Sequence, residues 1–164
     1  MLNTPSATRG MVTAPHHLAA QSGLAVLREG GDAIEAMVAA AASCAVVYPH
    51  MNGVGGDGFW IISRPGQDPV AIDACGPAAA AASPEAYAHA DTIPSRGPGA
   101  ALTVPGTISG WQHALALAHG RMPLARLLAD AIGYARDGVP VTVGQFELCR
   151  AKLDELRDVP GFAD

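Results

Sequence analysis

The segment that most constrains this chain is a glycine run, Gly53-Val54-Gly55-Gly56-Asp57-Gly58, set between two apolar stretches. The stretch before it, from Asp32 to about Val47, is apolar nearly all round a helix, so it belongs in a core rather than on a surface. The stretch after it, Phe59 to Ser63, reads as a strand. A helix–glycine loop–strand order is the reverse of a phosphate-binding loop, which follows a strand and opens a helix. No Lys-Ser/Thr pair follows the glycines, as a Walker-type loop requires. The run therefore predicts a close-packed structural loop at Gly53, Gly55, Gly56 and Gly58, where backbone approaches backbone.

The flanking elements follow from local chemistry. Met11 to Ala14 reads as a short strand, and residues 1–10 as a frayed end. Pro15 suits the first turn of a helix running from His16 to Glu29, with Leu18, Ala20, Leu24 and Leu27 on one face. His16 is expected to contact backbone at that helix start. Gly30 ends the helix at a position where positive φ costs glycine little. Asp32 and Glu35 form a capping box for the next helix, which Pro49 stops. Phe59–Ser63 and Val70–Asp73 read as a hairpin across the turn cluster 64–68. Residues 76–98 read as irregular, with one helical turn after Ser83. Thr107 is the expected N-cap of a helix to His119, closed by Gly120. A helix from Pro123 to Gly138 and a more charged one, about Gly144 to Arg157, complete the chain.

Several function classes are disfavoured. The net charge is −5 and the ten basic residues form no cluster, which argues against nucleic acid. Cys44, Cys75 and Cys149 form no CxxC pair, so no zinc site or redox dithiol is expected, and an odd count fits a reducing compartment. The six histidines show no metal-ligand spacing, and no cofactor motif is present. Ser109 lies in Gly106-Thr107-Ile108-Ser109-Gly110, which is not a nucleophile elbow. Cys44 reads as inert packing. Cys75 follows a strand in Asp73-Ala74-Cys75-Gly76, and a structural thiol is favoured there over a nucleophile. Residues 1–10 lack an apolar signal region and Ala36–Val47 is too short to span a bilayer. A cytoplasmic location without membrane partners is expected, or a periplasmic one if the true start lies upstream.

Three segments together resemble the gamma-glutamyltranspeptidase family of N-terminal-nucleophile hydrolases. The first is Pro15-His16-His17 followed by Leu27-Arg28-Glu29-Gly30-Gly31-Asp32-Ala33. The second is Val47 to Phe59, which from Pro49 onward is similar to P-x-x-x-G-x-G-G-x-G-F. The third is Val104-Pro105-Gly106-Thr107-Ile108-Ser109-Gly110, similar to V-P-G-x-x-x-G. They cover about residues 10–145 in the family's order. The resemblance implies an α+β fold, a partial αββα sandwich comprising the helix-rich N-terminal portion of a large subunit. Residues 11–164 are then an incomplete domain. It also implies a proenzyme that cleaves itself, so that a new N-terminal Thr attacks an amide with its own amino group as base.

No threonine here stands in the family's T-x-H context, so no catalytic residue is assigned and the chain alone is expected to be inactive. A small amide substrate and a C-terminal segment or small subunit are the implied partners. The resemblance further places Cys75 and Gly76 where gamma-glutamyl enzymes carry the Arg-Glu of D-x-R-E. That Arg binds the substrate α-carboxylate, and each such charged hydrogen bond contributes about 1.5–3 kcal/mol. A thiol cannot replace it, and Arg64 or Arg96 would have to reach in from elsewhere. The expected function is an amidohydrolase or acyltransferase acting on a small amide other than a typical gamma-glutamyl compound. A non-catalytic remnant, favoured by the ending Gly161-Phe162-Ala163-Asp164, and a stand-alone binding domain remain open.

Overall fold

The computed structural model describes residues 4–159. Of the segment expected to fray, residues 1–3 lie outside that range, as does the ending 161–164. The chain runs α1 (His17–Arg28), α2 (Ala33–Val47), β1 (Gly58–Ile62), β2 (Val70–Ala74), two 3-10 turns (Pro84–Tyr87 and Pro98–Ala100), α3 (Thr107–Ala116), α4 (Leu124–Leu127), α5 (Ala129–Asp137) and α6 (Val143–Leu156). Among the described residues the fold is helix-rich α+β, with one small antiparallel sheet. No described helix is long and apolar enough to cross a membrane.

α2 is the centre of the helical layer. Its cap forms as the sequence predicts: Asp32 Oδ1 accepts from Ile34 N and Glu35 N, and Glu35 Oε2 accepts from Asp32 N. Val38, Ala39 and Ala42 pack with Val26 of α1, Trp111 of α3, Leu127 of α4 and Ala131 of α5. Complete burial of Val26, Val38 or Leu127 contributes about 1.5–3 kcal/mol each. Small residues bring α1 and α2 close. A Cβ on Gly23 would lie 2.8 Å from Ala36 O. At the same interface the buried Ser43 hydroxyl donates to Ser22 Oγ at 2.8 Å, and Ser22 donates to Leu18 O at 3.0 Å, so both are satisfied.

The face of α1 differs from the expected one. Ala19, Ser22, Gly23 and Val26 are buried, while Leu18, Leu24 and Leu27 are only partly so. Close helix contact selects small residues for the interface and moves the leucines to its flanks. Gly30 has φ +94°, as its place after α1 requires.

The hairpin pairs Gly58 with Ala74 through Ile62 with Val70. Its Trp60 face packs on the helical core, while Phe59 and Ile61 are 69% and 81% exposed. Met11–Ala14 forms no strand, and no described strand pairs with it. The expected 123–138 helix is divided into α4 and α5 at Leu128. α3 ends at Ala116 rather than His119, because the 119–122 segment is drawn onto the α2 cap.

Candidate functional site

α2 ends at Tyr48, and Asn52 Nδ2 donates to Tyr48 O at 2.7 Å and Cys44 O at 3.3 Å. That side chain satisfies carbonyls orphaned at the helix end and turns the chain into the glycine loop. The loop is tied to α3. Gly56 O accepts from Gly106 N at 3.0 Å, Thr107 N at 2.9 Å and Thr107 Oγ1 at 2.7 Å. Thr107 is thus the first residue of α3, and Gly106 holds the cap position expected of it. Its hydroxyl reaches across to Gly56 and to Asp57 O at 2.9 Å instead of capping its own helix.

Asp57 joins the loop to the segment after β2. Its Oδ1 accepts from Gly76 N and from Thr103 Oγ1, both at 3.3 Å. Asp73 Oδ1 accepts from Cys75 N at 2.9 Å. Val104 N donates to Pro77 O and Ala79 N to Leu102 O, and Ala78 bridges Thr103 antiparallel. Three segments distant in sequence therefore converge: the glycine run, Asp73–Gly76, and Thr103–Thr107.

The glycines divide sharply by environment. A Cβ on Gly53, Gly55 or Gly56 would meet nothing within 4 Å, so no neighbouring atom excludes a side chain at these three positions, although Gly56 O is bonded to the α3 entry. At Gly58 it would lie 3.2 Å from Thr107 Cα. The closest approaches to backbone lie elsewhere: a Cβ would fall 1.5 Å from Val104 O at Gly76 and 2.0 Å from Ala74 O at Gly106.

Cys75 is exposed. A hydrogen bond with Asp57 raises its thiol pKa, and slight desolvation and the charges of Asp57 and Asp73 add to that. Nucleophilic cysteines need a positive or helix-N-terminal environment, and this one is acidic. Arg64 and Arg96 are both engaged elsewhere: Arg64 donates to Leu117 O, and Arg96 is paired with Glu155 at 2.9 Å.

Beside the loop lies a cavity of about 660 Å³ between α2, β1 and α3, with Trp60, Trp111 and Tyr48 on its walls. Asp57 is the one charged residue of its lining. Buried Cys44 also faces it, its pKa raised by desolvation. His16 is buried, and its Nδ1 accepts from Leu18 N at 3.2 Å, capping α1 as expected. Burial, then the neighbouring His17, lowers its pKa. Among the described residues no group of three or more His, Cys, Asp or Glu is placed to hold a metal. Sequence reasoning missed Asp57, Thr103 and Thr107 as organisers. An acid inside a glycine run was the available signal for Asp57, but its partners are 19 and 46 residues away.

Residues 19–164 match the sequence pattern of the family described as Gamma-glutamyltranspeptidase. The chain is 64% identical over 161 residues to an oxamate amidohydrolase proenzyme of Klebsiella pneumoniae, covering 96% of this chain and 30% of that protein. It is 38% identical over 158 residues to the glutathione hydrolase-like YwrD proenzyme of Bacillus subtilis, with the same coverage. The chain thus spans about 30% of the length of these curated relatives. Its fold superposes on the crystal structure of Helicobacter pylori gamma-glutamyltranspeptidase with a TM-score of 0.80 at 28% identity, over 96% of this chain and 46% of that one. The motif order, the sequence match and the fold agree, and the chain belongs to the gamma-glutamyltranspeptidase family.

Proposed function

We propose that this chain is the N-terminal part of an amidohydrolase or acyltransferase that acts on a small amide other than a typical gamma-glutamyl compound. The observation that carries this is the Cys75–Gly76 corner. It presents a thiol between two carboxylates and no guanidinium. Gly76 is closed against Val104 O, which leaves no room for a side chain. An acidic corner repels a substrate carboxylate at that point rather than binding it. A compact amide whose polar groups all sit next to the scissile carbonyl does not extend that far. The Klebsiella relative named for oxamate, a molecule of that kind, supports this reading.

In this proposal the nucleophile is a threonine in chain that follows residue 164, and the glycine loop and α3 entry are its supporting wall. The 164 residues alone have no activity. The test is ammonia release from oxamate and related small amides, beside anilide release from a gamma-glutamyl anilide. Both are measured for the 164-residue chain and for the protein extended by the remainder of its reading frame. Small-amide turnover at least about tenfold above gamma-glutamyl turnover, in the extended protein only, is the expected result. Preferred gamma-glutamyl turnover, or activity of the short chain, overturns it.

A further inference from the structure

A second cavity, of about 700 Å³, lies away from the Asp57 corner. Residues 5–12 form one side of it, and Leu24, Leu27 and Arg28 of α1 the other. Its volume falls within the range of small-molecule sites, about 300–1,000 Å³. Gly10 lets the arm lie close on α1. Its φ is +141°, which side chains rarely adopt, and a Cβ there would sit 3.1 Å from Leu27 Cδ1. Val12 and Leu27 pack against the hydrophobic core, and Leu24 is half-buried. The floor of the cavity is therefore apolar and anchored.

The charge of the lining is one-sided. Arg9 and Arg28 contribute to it and no Asp or Glu does, in a chain of net charge −5. Arg64, Arg96, Arg126 and Arg157 each engage a protein group. Among the described residues Arg9 and Arg28 have no such partner. Glu29, next to Arg28 in sequence, is taken by Arg126 Nε at 2.6 Å. The last carbonyls of α1, those of Ala25, Val26 and Leu27, already accept from the amides of Glu29, Gly31 and Gly30. Both guanidiniums are thus available to a ligand. The amides of residues 6–12 form no backbone hydrogen bond among the described residues and add further donors.

We propose that this cavity binds a small amphiphilic acid, with an oxyanion head on Arg9 and Arg28 and an apolar body on Leu24 and Leu27. A guanidinium fork matches a carboxylate or a phosphate in shape and charge. A neutral apolar molecule leaves both forks unused, and an inorganic anion leaves the apolar floor in water. A cation is repelled. The site shares no lining residue with the cavity beside the glycine loop, and all of its lining precedes Glu29. It stands whether or not the amidohydrolase reading holds.

The test is isothermal titration calorimetry on the protein extended by the remainder of its reading frame, with octanoate and octyl phosphate as the two head groups. Saturable binding of at least one of them is expected, one per chain. Arg9→Gln and Arg28→Gln should each weaken it by about tenfold or more, since each removes charge-assisted hydrogen bonds. Both residues are exposed, so melting of the ligand-free variants should be unchanged. Arg121→Gln, at an exposed arginine outside the cavity, should leave the affinity as it is. Octanol, which lacks the charge, and acetate and inorganic phosphate, which lack the body, should bind at least about tenfold more weakly than the amphiphile. Absence of saturable binding overturns the proposal, as does equal binding of octanol or an affinity unchanged in both Arg9→Gln and Arg28→Gln. No probe is an amide, so the result is read apart from turnover.

Discussion

Glu35 Oε1 accepts a hydrogen bond from Met122 N at 2.7 Å, across 87 residues of sequence. Its other oxygen caps α2 through Asp32 N, so one buried carboxylate serves both the helix start and the 119–122 segment. Asp32 Oδ2 completes the latch by accepting from His119 N and Gly120 N. Glu35→Ala orphans two amides and removes a capping-box partner, so it is expected to cost about 2–4 kcal/mol. Urea unfolding of the variant against the parent measures this. A loss below about 0.5 kcal/mol would show that the latch is not structural.

The same latch predicts an acid limit. Burial raises the Asp32 pKa, but hydrogen bonds from the amides of Glu35, Gly120, His119 and Ile34 outweigh it and the net shift is downward. A depressed carboxylate stabilises the fold fully above its unfolded pKa, about 3.9, and loses that contribution as pH falls through the folded value. Asp32→Asn is expected to flatten the slope of stability against pH below about 4, read from melting temperatures at a series of pH values.

His16 sets a second, milder limit. It caps α1 through an unprotonated Nδ1, and its pKa is lowered by burial and by His17. The unfolded state binds the proton more readily, so stability is complete above about pH 6.5 and declines as pH falls below it. Asn is a good cap and does not titrate. His16→Asn should remove the melting-temperature decline between about pH 6.5 and 5, and an unchanged decline would assign it to other groups.

Glycine substitutions separate the open loop from the closed corner. Gly76→Ala places a methyl inside Val104 O and is expected to cost about 3 kcal/mol or more, since backbone cannot yield as a flexible side chain does. Gly55→Ala meets nothing within 4 Å and has no positive φ, so its effect stays within about 1 kcal/mol. Equal destabilisation by the two would contradict this division. The same geometry predicts that Cys75→Arg, alone or with Gly76→Glu, does not create gamma-glutamyl hydrolysis in the extended protein. Anilide release by either variant, absent in the parent, would refute this.

The hydrogen bond with Asp57 raises the Cys75 thiol pKa, so Asp57→Asn should increase the thiolate fraction. Iodoacetamide labelling of Cys75 at pH 7.5, followed by peptide mass spectrometry, is expected to be faster in the variant than in the parent. Cys149, also exposed, is the internal control. A slower Cys75 rate in the variant would reverse the sign assigned to Asp57.

Local sequence was sufficient for everything decided within one turn or one hairpin. The Asp32–Glu35 box, the stop at Pro49, the positive φ of Gly30 and the pairing of residues 58–62 with 70–74 follow from neighbours a few residues apart. The motif order was sufficient for the family. Tertiary structure decided what depends on distant partners. Thr107 gave up capping for Gly56 O, 51 residues away. Small residues rather than leucines took the α1 interface, because close helix contact rewards small side chains. The need for glycine proved to lie at Gly76 and Gly106 rather than at Gly53, Gly55 and Gly56. A sequence shows that a residue is glycine, but only the fold shows which backbone passes where its Cβ would be.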